Sequence, residues 1–223
     1  MTQSEEERLV SAISEERFQP FLEECEGDRT VALRLYAWEG EAARALQSPL
    51  RDLEVSLRNR LHVQLGGRYG REDWWNVGRV RLTSWAMDRI RDAEDDLAER
   101  RQSSSAGDVV AKLPFAFWVS LLGKTGNYEM QFWHPSLRHC FRDHRGGRGV
   151  LHGQFDRMRT LRNRIAHHER ISHRHLDQDF RSAISLLRHL SPEMADLHEK
   201  YSQVPQVLAR KAKVLSGEEE IRL

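Results

Sequence analysis

The chain has 223 residues, of which 39% are hydrophobic, so it can form the core of one large domain or two small ones. The charged fraction is 31% but the net charge is only +1, which excludes a chain that is strongly basic or strongly acidic as a whole. Two cysteines, Cys25 and Cys140, exclude a disulfide framework and a four-cysteine zinc site.

The N-terminal part of the chain predicts a series of helices. Residues 4–17 predict a polar first helix, whose acidic character is unlike that of a signal peptide. A second helix is predicted from about Thr30 to Leu46. The pair Ser48-Pro49 is typical of an N-cap followed by proline at the first helical position. It predicts a separate third helix that runs to Leu65 and stops at Gly66-Gly67.

The remaining chain continues this helical pattern. The elements predicted in order are an irregular stretch at 68–80, a helix from Thr83 to about Arg101, an apolar helix that opens at Asp108 and breaks at Pro114, short helices at 123–148, a helix that ends in the motif below, a helix at 174–190, and one that begins at Ser191-Pro192. Strand alternation and repeats are absent from the sequence, so the predicted fold class is all-α. No apolar run approaches the roughly 18 residues of a membrane span, and we therefore expect a soluble cytoplasmic protein with no membrane partner.

The most informative stretch of sequence surrounds Arg162. Apolar residues recur at helical spacing and share one face of an ideal helix, at about 100° per residue: Leu151, Phe155, Met158, Leu161 and Ile165. Arg162 falls inside this apolar sector, so its guanidinium must be paired, must snorkel, or must face another surface that needs it. Asn163 and His167 are one turn apart and can touch, which would fix the tautomer of the imidazole.

The spacing of Arg162 and His167 sets a geometric problem. The two residues are five positions apart, and therefore roughly 140° apart around a straight helix. They cannot share one face of such a helix. Either the helix distorts near Ala166, or the two residues complete a site together with a second copy of the chain.

These residues resemble those of a known family. Arg162-Asn163, three further residues and His167 match the signature of HEPN ribonucleases (higher eukaryote and prokaryote nucleotide-binding domain). The longer run from Leu161 to Glu169 resembles the branch called Abi-like, after abortive-infection phage-resistance proteins. One departure is Arg170, which stands where a proline often follows His-His-Glu.

Three other stretches resemble landmarks of the same family in the same order. They are Leu-Glu-Val-Ser-Leu-Arg-Asn at 53–59, Trp74-Trp75, and Leu-Pro-Phe-Ala-Phe-Trp at 113–118. The resemblance therefore spans about residues 30–200. It implies a HEPN-like helical bundle with additional helices. The implied divisions are an acidic N-terminal helical segment at 1–27, an Abi-like helical domain at 28–202, and a C-terminal helix and tail at 203–223.

The resemblance also implies an activity. A HEPN ribonuclease cleaves RNA without a metal or other cofactor, at the interface of a symmetric homodimer, and leaves a 2′,3′-cyclic phosphate. In that scheme Arg162 stabilises charge on the phosphate, His167 transfers protons and Asn163 holds His167. Arg164 and His168, one turn apart, are expected to bind flanking phosphates. The Abi-like branch further implies a toxin or phage-defence effector restrained by an antitoxin or a small RNA.

The predicted helix from Pro49 to Leu65 carries a second polar line. Glu54, Arg58 and His62 lie four residues apart along the edge of a leucine stripe, each within reach of the next. In one interpretation Glu54 and Arg58 form an ordinary helix pair at the margin of the core. In the other, this line packs beside the motif helix, Glu54 pairs with Arg162 or Arg58, and Arg58 and His62 face RNA.

The charges are distributed unevenly along the chain. Residues 1–28 contain nine acids and two arginines, whereas residues 138–175 contain ten arginines, three acids and seven of the eleven histidines. The basic segment indicates a phosphate-bearing partner such as RNA. Genome composition is an alternative explanation, since thirty of the thirty-five basic residues are arginine.

Other patterns in the sequence favour structure over chemistry. The aromatic residues near the helix breaks could stack on bases, but core packing is the favoured interpretation: Trp74, Trp75, Phe115, Phe117 and Trp118. His168-Glu169 is not a zinc-protease motif, because position 172 is serine. Two alternatives to a ribonuclease stay open. One is a non-catalytic RNA-binding module that uses the same basic helix, and the other is a structural helical adaptor with Arg162 in a buried ion pair.

Overall fold

The computed structural model describes residues 3–100 and 105–222, and all the regular elements in these ranges are helical. The α-helices are α1 (Gln3–Ile13), α2 (Glu15–Glu24), α3 (Arg29–Tyr69), α4 (Ser84–Glu99), α5 (Ala106–Lys112), α6 (Phe115–Ser120), α7 (Arg148–Ala166), α8 (Leu176–Leu190), α9 (Pro192–Tyr201), α10 (Val204–Ala209) and α11 (Lys211–Ser216). Short 3₁₀ turns occupy Trp74–Asn76, Thr125–Asn127 and Leu137–Cys140, and a π-helical turn occupies Glu129–Trp133. The all-α prediction is confirmed.

Capping side chains explain several helix starts. The Thr83 side chain accepts a hydrogen bond from the Ala86 N–H at 3.3 Å and begins α4, as predicted. The Ser191 side chain accepts from the Met194 N–H at 3.4 Å, and Pro192 is the first residue of α9. Ser105 caps α5, so that helix begins before the predicted Asp108. Helix α4 ends at Glu99, and the predicted end near Arg101 lies outside the described residues.

Three predictions about helix boundaries are wrong. The predicted helix at 4–17 is two helices, because Ser14 adopts a φ of 81° and caps α2 through the Arg17 N–H. The predicted break at Ser48-Pro49 does not occur. Helix α3 instead runs for 41 residues with Pro49 inside it, and it passes Gly66-Gly67 to end at Tyr69, before Gly70 with a φ of 76°.

The chain forms two compact units, and their boundaries fall inside α3, α7, α8 and α9. The first unit comprises residues 1–48, 164–180 and 201–223. The second comprises residues 49–163 and 181–200. The divisions expected at residues 27 and 202 stay predictions.

Each unit has its own apolar core. In the second unit α3 contributes a buried leucine stripe, and α7, the short helices and the loops add large aromatic residues: Leu53, Leu57, Leu61, Leu65, Trp74, Trp118 and Phe155. In the first unit Phe18, Phe21, Leu35 and Trp38 are buried, and the Trp38 indole N–H donates to the Val207 carbonyl at 3.0 Å. Full burial of one such side chain contributes about 1.5–3 kcal/mol. No helix in the described ranges has the length and apolar character to cross a membrane.

Candidate functional site

Helix α7 carries the motif and is oriented by its apolar stripe. Leu151, Phe155, Met158 and Leu161 are fully buried, as their helical spacing predicts. The boundary between the two compact units falls between Asn163 and Arg164. Arg162 and Asn163 therefore belong to the second unit, and the residues from Arg164 onward belong to the first.

In the second unit Arg162 is paired with Glu54. The Arg162 Nε donates to Glu54 Oε2 at 3.0 Å, so this pair, one of those expected from the sequence, is formed. The Arg162 side chain is 42% exposed and the Glu54 side chain only 17%. Neither terminal nitrogen of Arg162 donates to any other described residue. Because Glu54 takes only the inner nitrogen, the outer edge of the guanidinium fork keeps its donors available for an anion.

The polar line along α3 does not form a chain of contacts. Arg58 donates through Nε to Asn59 Oδ1 at 3.3 Å and through Nη1 to the Ala111 carbonyl at 3.4 Å. The ordinary Glu54–Arg58 pair is absent from the described residues. Arg58 therefore ties α3 to the end of α5. Asn163 is half-buried, and its amide makes no hydrogen bond to any described residue.

His62 packs against an aromatic residue. Its ring centroid lies 6.5 Å from that of Trp75, and its Nδ1 is buried with no partner among the described residues. Burial lowers the pKa of His62 below its ordinary value, and the nearby Glu72 opposes this only in part. A neutral imidazole has no charge with which to attract phosphate. The structure therefore places His62 in packing rather than on a basic surface.

In the first unit the motif helix ends at Ala166, directly before His167. The His168 N–H bonds to the Ile165 carbonyl at 3.1 Å, and the Glu169 N–H bonds to the Arg164 carbonyl at 2.8 Å. These are the two hydrogen bonds of a Schellman cap. His168 takes the left-handed position of that cap with a φ of 56°, where glycine is usual. The helix thus does not continue straight through the motif, so the angular separation on an ideal helix does not apply to Arg162 and His167.

His167 and His168 are both exposed. The His167 imidazole makes no hydrogen bond or ion pair with any described residue, so both ring nitrogens are open to solvent. The His168 carbonyl accepts a hydrogen bond from the Arg17 guanidinium of α2. This bond fixes the backbone of the cap and leaves the two imidazoles free.

A buried carboxylate holds the chain beyond the cap. We call residues 167–175 the post-motif loop, since they connect α7 to α8. Glu39 of α3 is only 8% exposed, and its Oε2 accepts from the Ile171 N–H at 2.7 Å and from the Ser172 N–H at 2.5 Å. Burial raises the pKa of the Glu39 carboxyl, against the opposing effect of these two N–H groups. Ile171 and Ser172 are themselves buried.

Arg170 fastens the same loop to α2. It donates to the Pro20 carbonyl at 2.9 Å, to Glu24 Oε2 at 2.5 Å and, within the loop, to Ser172 Oγ at 3.1 Å. Its guanidinium carbon lies 5.5 Å from the centroid of the Phe21 ring. Arg170 therefore holds the loop against α2 through contacts with Pro20, Glu24 and Phe21.

Arg164 is also part of this local framework. Its Nη1 donates to the Arg170 carbonyl at 3.1 Å and lies 3.2 Å from His173 Nε2, and its Nε lies 3.8 Å from Glu169 Oε2. Arg164 is half-buried. Its expected role in binding a flanking phosphate stays a prediction, but it already serves to close the loop.

Much of the basic segment is neutralised by neighbouring acids. Six of the ten arginines between residues 138 and 175 form ion pairs: Arg148, Arg159, Arg162, Arg164, Arg170 and Arg174. The other four are exposed and form no ion pair with the described residues: Arg138, Arg142, Arg145 and Arg157. All four belong to the second unit. The free positive charge is therefore smaller than the arginine count indicates.

The remaining sequence candidates are structural. The five aromatic residues near the helix breaks are all buried, so the core interpretation is confirmed for Trp74, Trp75, Phe115, Phe117 and Trp118. His134 and His139 are exposed, and His144 is half-buried. In the described part of the chain, no group of three or more His, Cys, Asp or Glu side chains is placed to hold a metal ion.

Glu39 was not recognised from the sequence, although a signal for it exists. It lies four residues after Leu35 and three before Ala42, both of which are buried, so it occupies the apolar stripe of its helix. A charge in such a position must be paired or hydrogen-bonded. Its partners are backbone N–H groups 132 and 133 residues away, and a pattern of side chains cannot predict which backbone groups they are.

Comparison with known proteins adds no assignment: no family model, no curated protein and no solved structure matches this chain.

Proposed function

We propose that this protein is a metal-independent endoribonuclease of the HEPN type, and that it acts as a toxin or phage-defence effector. The observation that carries the proposal is the position of His167. The motif helix ends one residue before it, and its imidazole is exposed with both nitrogens free of the described residues. Exposure and the absence of bonds leave this imidazole available for proton transfer, as a general acid or base must be. The HEPN resemblance of residues 161–169 supplies the reaction.

The chemistry needs one proton acceptor, one proton donor and a positive charge. A base removes the 2′-hydroxyl proton, the oxygen attacks the phosphorus, and an acid protonates the leaving 5′-oxygen. Histidine titrates near neutrality and suits either proton role. Arg162 remains charged and has its outer donors free, which suits the phosphorane as charge develops. The products are a 2′,3′-cyclic phosphate and a 5′-hydroxyl.

Two copies of the chain would provide two histidines and two arginines. The proposal therefore includes a homodimer, an RNA substrate, and restraint by an antitoxin or a small regulatory RNA. No cofactor is assigned. The proposal assigns Asn163 the orientation of His167, although the two side chains form no hydrogen bond with the described residues. It assigns His168, Arg164 and Arg58 contacts with flanking phosphates.

The test is RNA cleavage by the purified protein in EDTA. We expect cleavage with 2′,3′-cyclic phosphate ends, and a loss of about 10²–10⁴ in rate for His167→Ala. His175→Ala is the matched control, since His175 is another exposed histidine of the post-motif loop that lies outside the motif. Equal cleavage by wild type and His167→Ala, at unchanged helicity, would contradict the proposal.

The second candidate is a non-catalytic RNA-binding module. The four exposed arginines of the second unit that form no ion pair with the described residues favour it, because they offer phosphate contacts that do not require His167. The same experiment separates the two, since RNA binding without cleavage selects this candidate. Absence of both would select the structural adaptor, for which the Glu54–Arg162 pair is the supporting contact.

A further inference from the structure

The post-motif loop is held far more firmly than an exposed connection requires. Chain segments from both ends of the sequence meet at its residues 168–172. Arg17, Pro20 and Glu24 of α2 contact His168 and Arg170, and Lys211 of α11 donates to the Ser172 carbonyl at 3.4 Å. At the centre Glu39 binds two consecutive backbone N–H groups. All of these residues belong to the first unit.

Burial of the Glu39 carboxylate beneath this loop has a desolvation cost. Removing a carboxylate from water costs several kcal/mol unless hydrogen bonds compensate, and burial raises the pKa of this carboxyl even with two such bonds present. An apolar side chain would fill the same stripe position but would leave the Ile171 and Ser172 N–H groups without this acceptor. The carboxylate therefore stabilises the loop conformation that brings these two N–H groups to it.

The residue this conformation controls is His167. The Schellman cap fixes the chain on one side at Ile165, and Glu39 fixes it on the other at Ile171. Five residues separate these anchors, and one of them, His168, is held at a φ of 56°. The backbone of His167 therefore has little freedom, although its side chain is exposed.

We propose that Glu39 is a positioning residue for His167, acting through the Ile171 and Ser172 N–H groups. This inference rests on the proposed ribonuclease function for its kinetic consequence. Its structural consequence, a fixed His167, does not depend on that function. Arg17 and Glu24 of α2 and Lys211 of α11 contribute to the same task, because they bind His168, Arg170 and Ser172 of the loop.

The experiment compares substitutions of two buried glutamates on α3. Glu39→Ala removes the acceptor of the Ile171 and Ser172 N–H groups. Glu41→Gln is the matched control, because Glu41 is 7% exposed, lies in the same unit, and pairs with Arg210 rather than with the described loop. The first readout is the imidazole proton–carbon resonance of His167, identified by its absence from the His167→Ala spectrum. The second is the RNA cleavage rate.

We expect Glu39→Ala to displace the His167 resonance and to lower kcat by about 10²-fold, the cost of misplacing a catalytic group by about 1 Å. KM should be unchanged. Glu39→Gln keeps an acceptor oxygen at the same reach and should recover most of the rate and the wild-type resonance. Glu41→Gln should lower stability and leave the His167 resonance in place.

The outcomes that overturn the proposal are distinct from those that overturn the function. A folded Glu39→Ala protein with the wild-type His167 resonance and rate excludes positioning, as does a Glu41→Gln protein with an equal displacement. If Glu39→Ala does not fold, Glu39→Asp carries the test, since its shorter carboxylate should displace the resonance in the same direction, and no displacement excludes positioning. If wild type does not cleave RNA, the proposed function fails while the His167 resonance still decides on Glu39.

Discussion

Arg162 donates to Glu54 through Nε alone, so we expect different results from different substitutions of Glu54. Glu54→Gln keeps an oxygen that can accept from Nε but removes a negative charge beside the guanidinium. RNA affinity should therefore rise, and the effect should shrink as salt is added. Glu54→Ala leaves Arg162 without its orienting contact, so the cleavage rate should fall. Titration of fluorescent RNA and single-turnover cleavage measure the two effects.

The stability cost of these substitutions should be small. The Arg162 side chain is 42% exposed, and ion pairs with such exposure contribute about 0–1 kcal/mol. A loss well above that range in Glu54→Ala would mean that Arg162 serves chiefly as a structural ion pair. That result would favour the adaptor interpretation over the ribonuclease.

The pH dependence of stability tests whether the His62 ring is buried. Its pKa is lowered by burial in the folded protein, so the unfolded chain binds more protons once the pH falls below about 7. The contribution of His62 to stability is therefore present above its unfolded pKa and is lost as the pH falls through the folded pKa. His62→Gln lacks this dependence. Unfolding free energies at pH 8, 6.5 and 5 should show wild type losing stability relative to His62→Gln, and parallel curves would place the ring in solvent.

Among the helices, sequence patterns predicted the starts of α4 and α9 correctly, whereas the predicted break at Ser48-Pro49 is wrong. Thr83 and Ser191 have polar side chains that reach the second or third residue of their helices, and both caps are present. Ser48-Pro49 has the same pattern, yet α3 continues through it. The stripe of buried leucines before and after Pro49 continues at helical spacing, so packing outweighs the roughly 3 kcal/mol cost of an internal proline.

The end of α7 could not be predicted from side-chain type. Glycine or asparagine usually marks a left-handed cap, and here the position is occupied by His168. The cap depends on backbone hydrogen bonds, on the Arg17 contact from α2 and on the Glu39 anchor. None of these three contributions can be predicted from the side chains of residues 161–171. The motif therefore stays a prediction from a sequence pattern, and the local geometry of its residues required the structure.

Strain at His168 gives a prediction for the helix end. A left-handed conformation costs an L-residue roughly 1–2 kcal/mol, which glycine avoids, although glycine loses up to about 1 kcal/mol through the flexibility of the unfolded chain. His168→Gly should therefore raise the free energy of unfolding by up to about 1 kcal/mol. His168→Val should lower it, because a β-branched residue at positive φ is more strained. Chemical denaturation measures both, and equal stabilities would mean that the cap is not formed.

For the whole molecule, the end of α7 at Ala166 changes the argument for a dimer. The 140° separation on a straight helix no longer requires a second copy, because the helix does not remain straight. The expectation of a C2 homodimer with the motif helices facing each other now rests on the HEPN resemblance and on the need for two proton-transfer groups. Light scattering at micromolar concentration should give twice the 26.1 kDa chain mass. A monomer that cleaves RNA would contradict the shared site.

The salt dependence of RNA binding reports on the whole surface of the molecule, because its slope is proportional to the number of phosphates that the protein neutralises. Of the ten arginines between residues 138 and 175, only the four without ion pairs should release counterions at full effect. Each contact with single-stranded RNA contributes about −0.7 to the slope of log K against log salt, so four predict a slope of about −3.

Arg157→Ala should reduce the magnitude of this slope by about 0.7. Its neighbour Arg159 is paired with Asp156 at 2.8 Å, and Arg159→Ala should change the slope less. A flat dependence would place the RNA-binding surface outside this segment, and a slope twice as steep would mean that the ion pairs open when RNA binds.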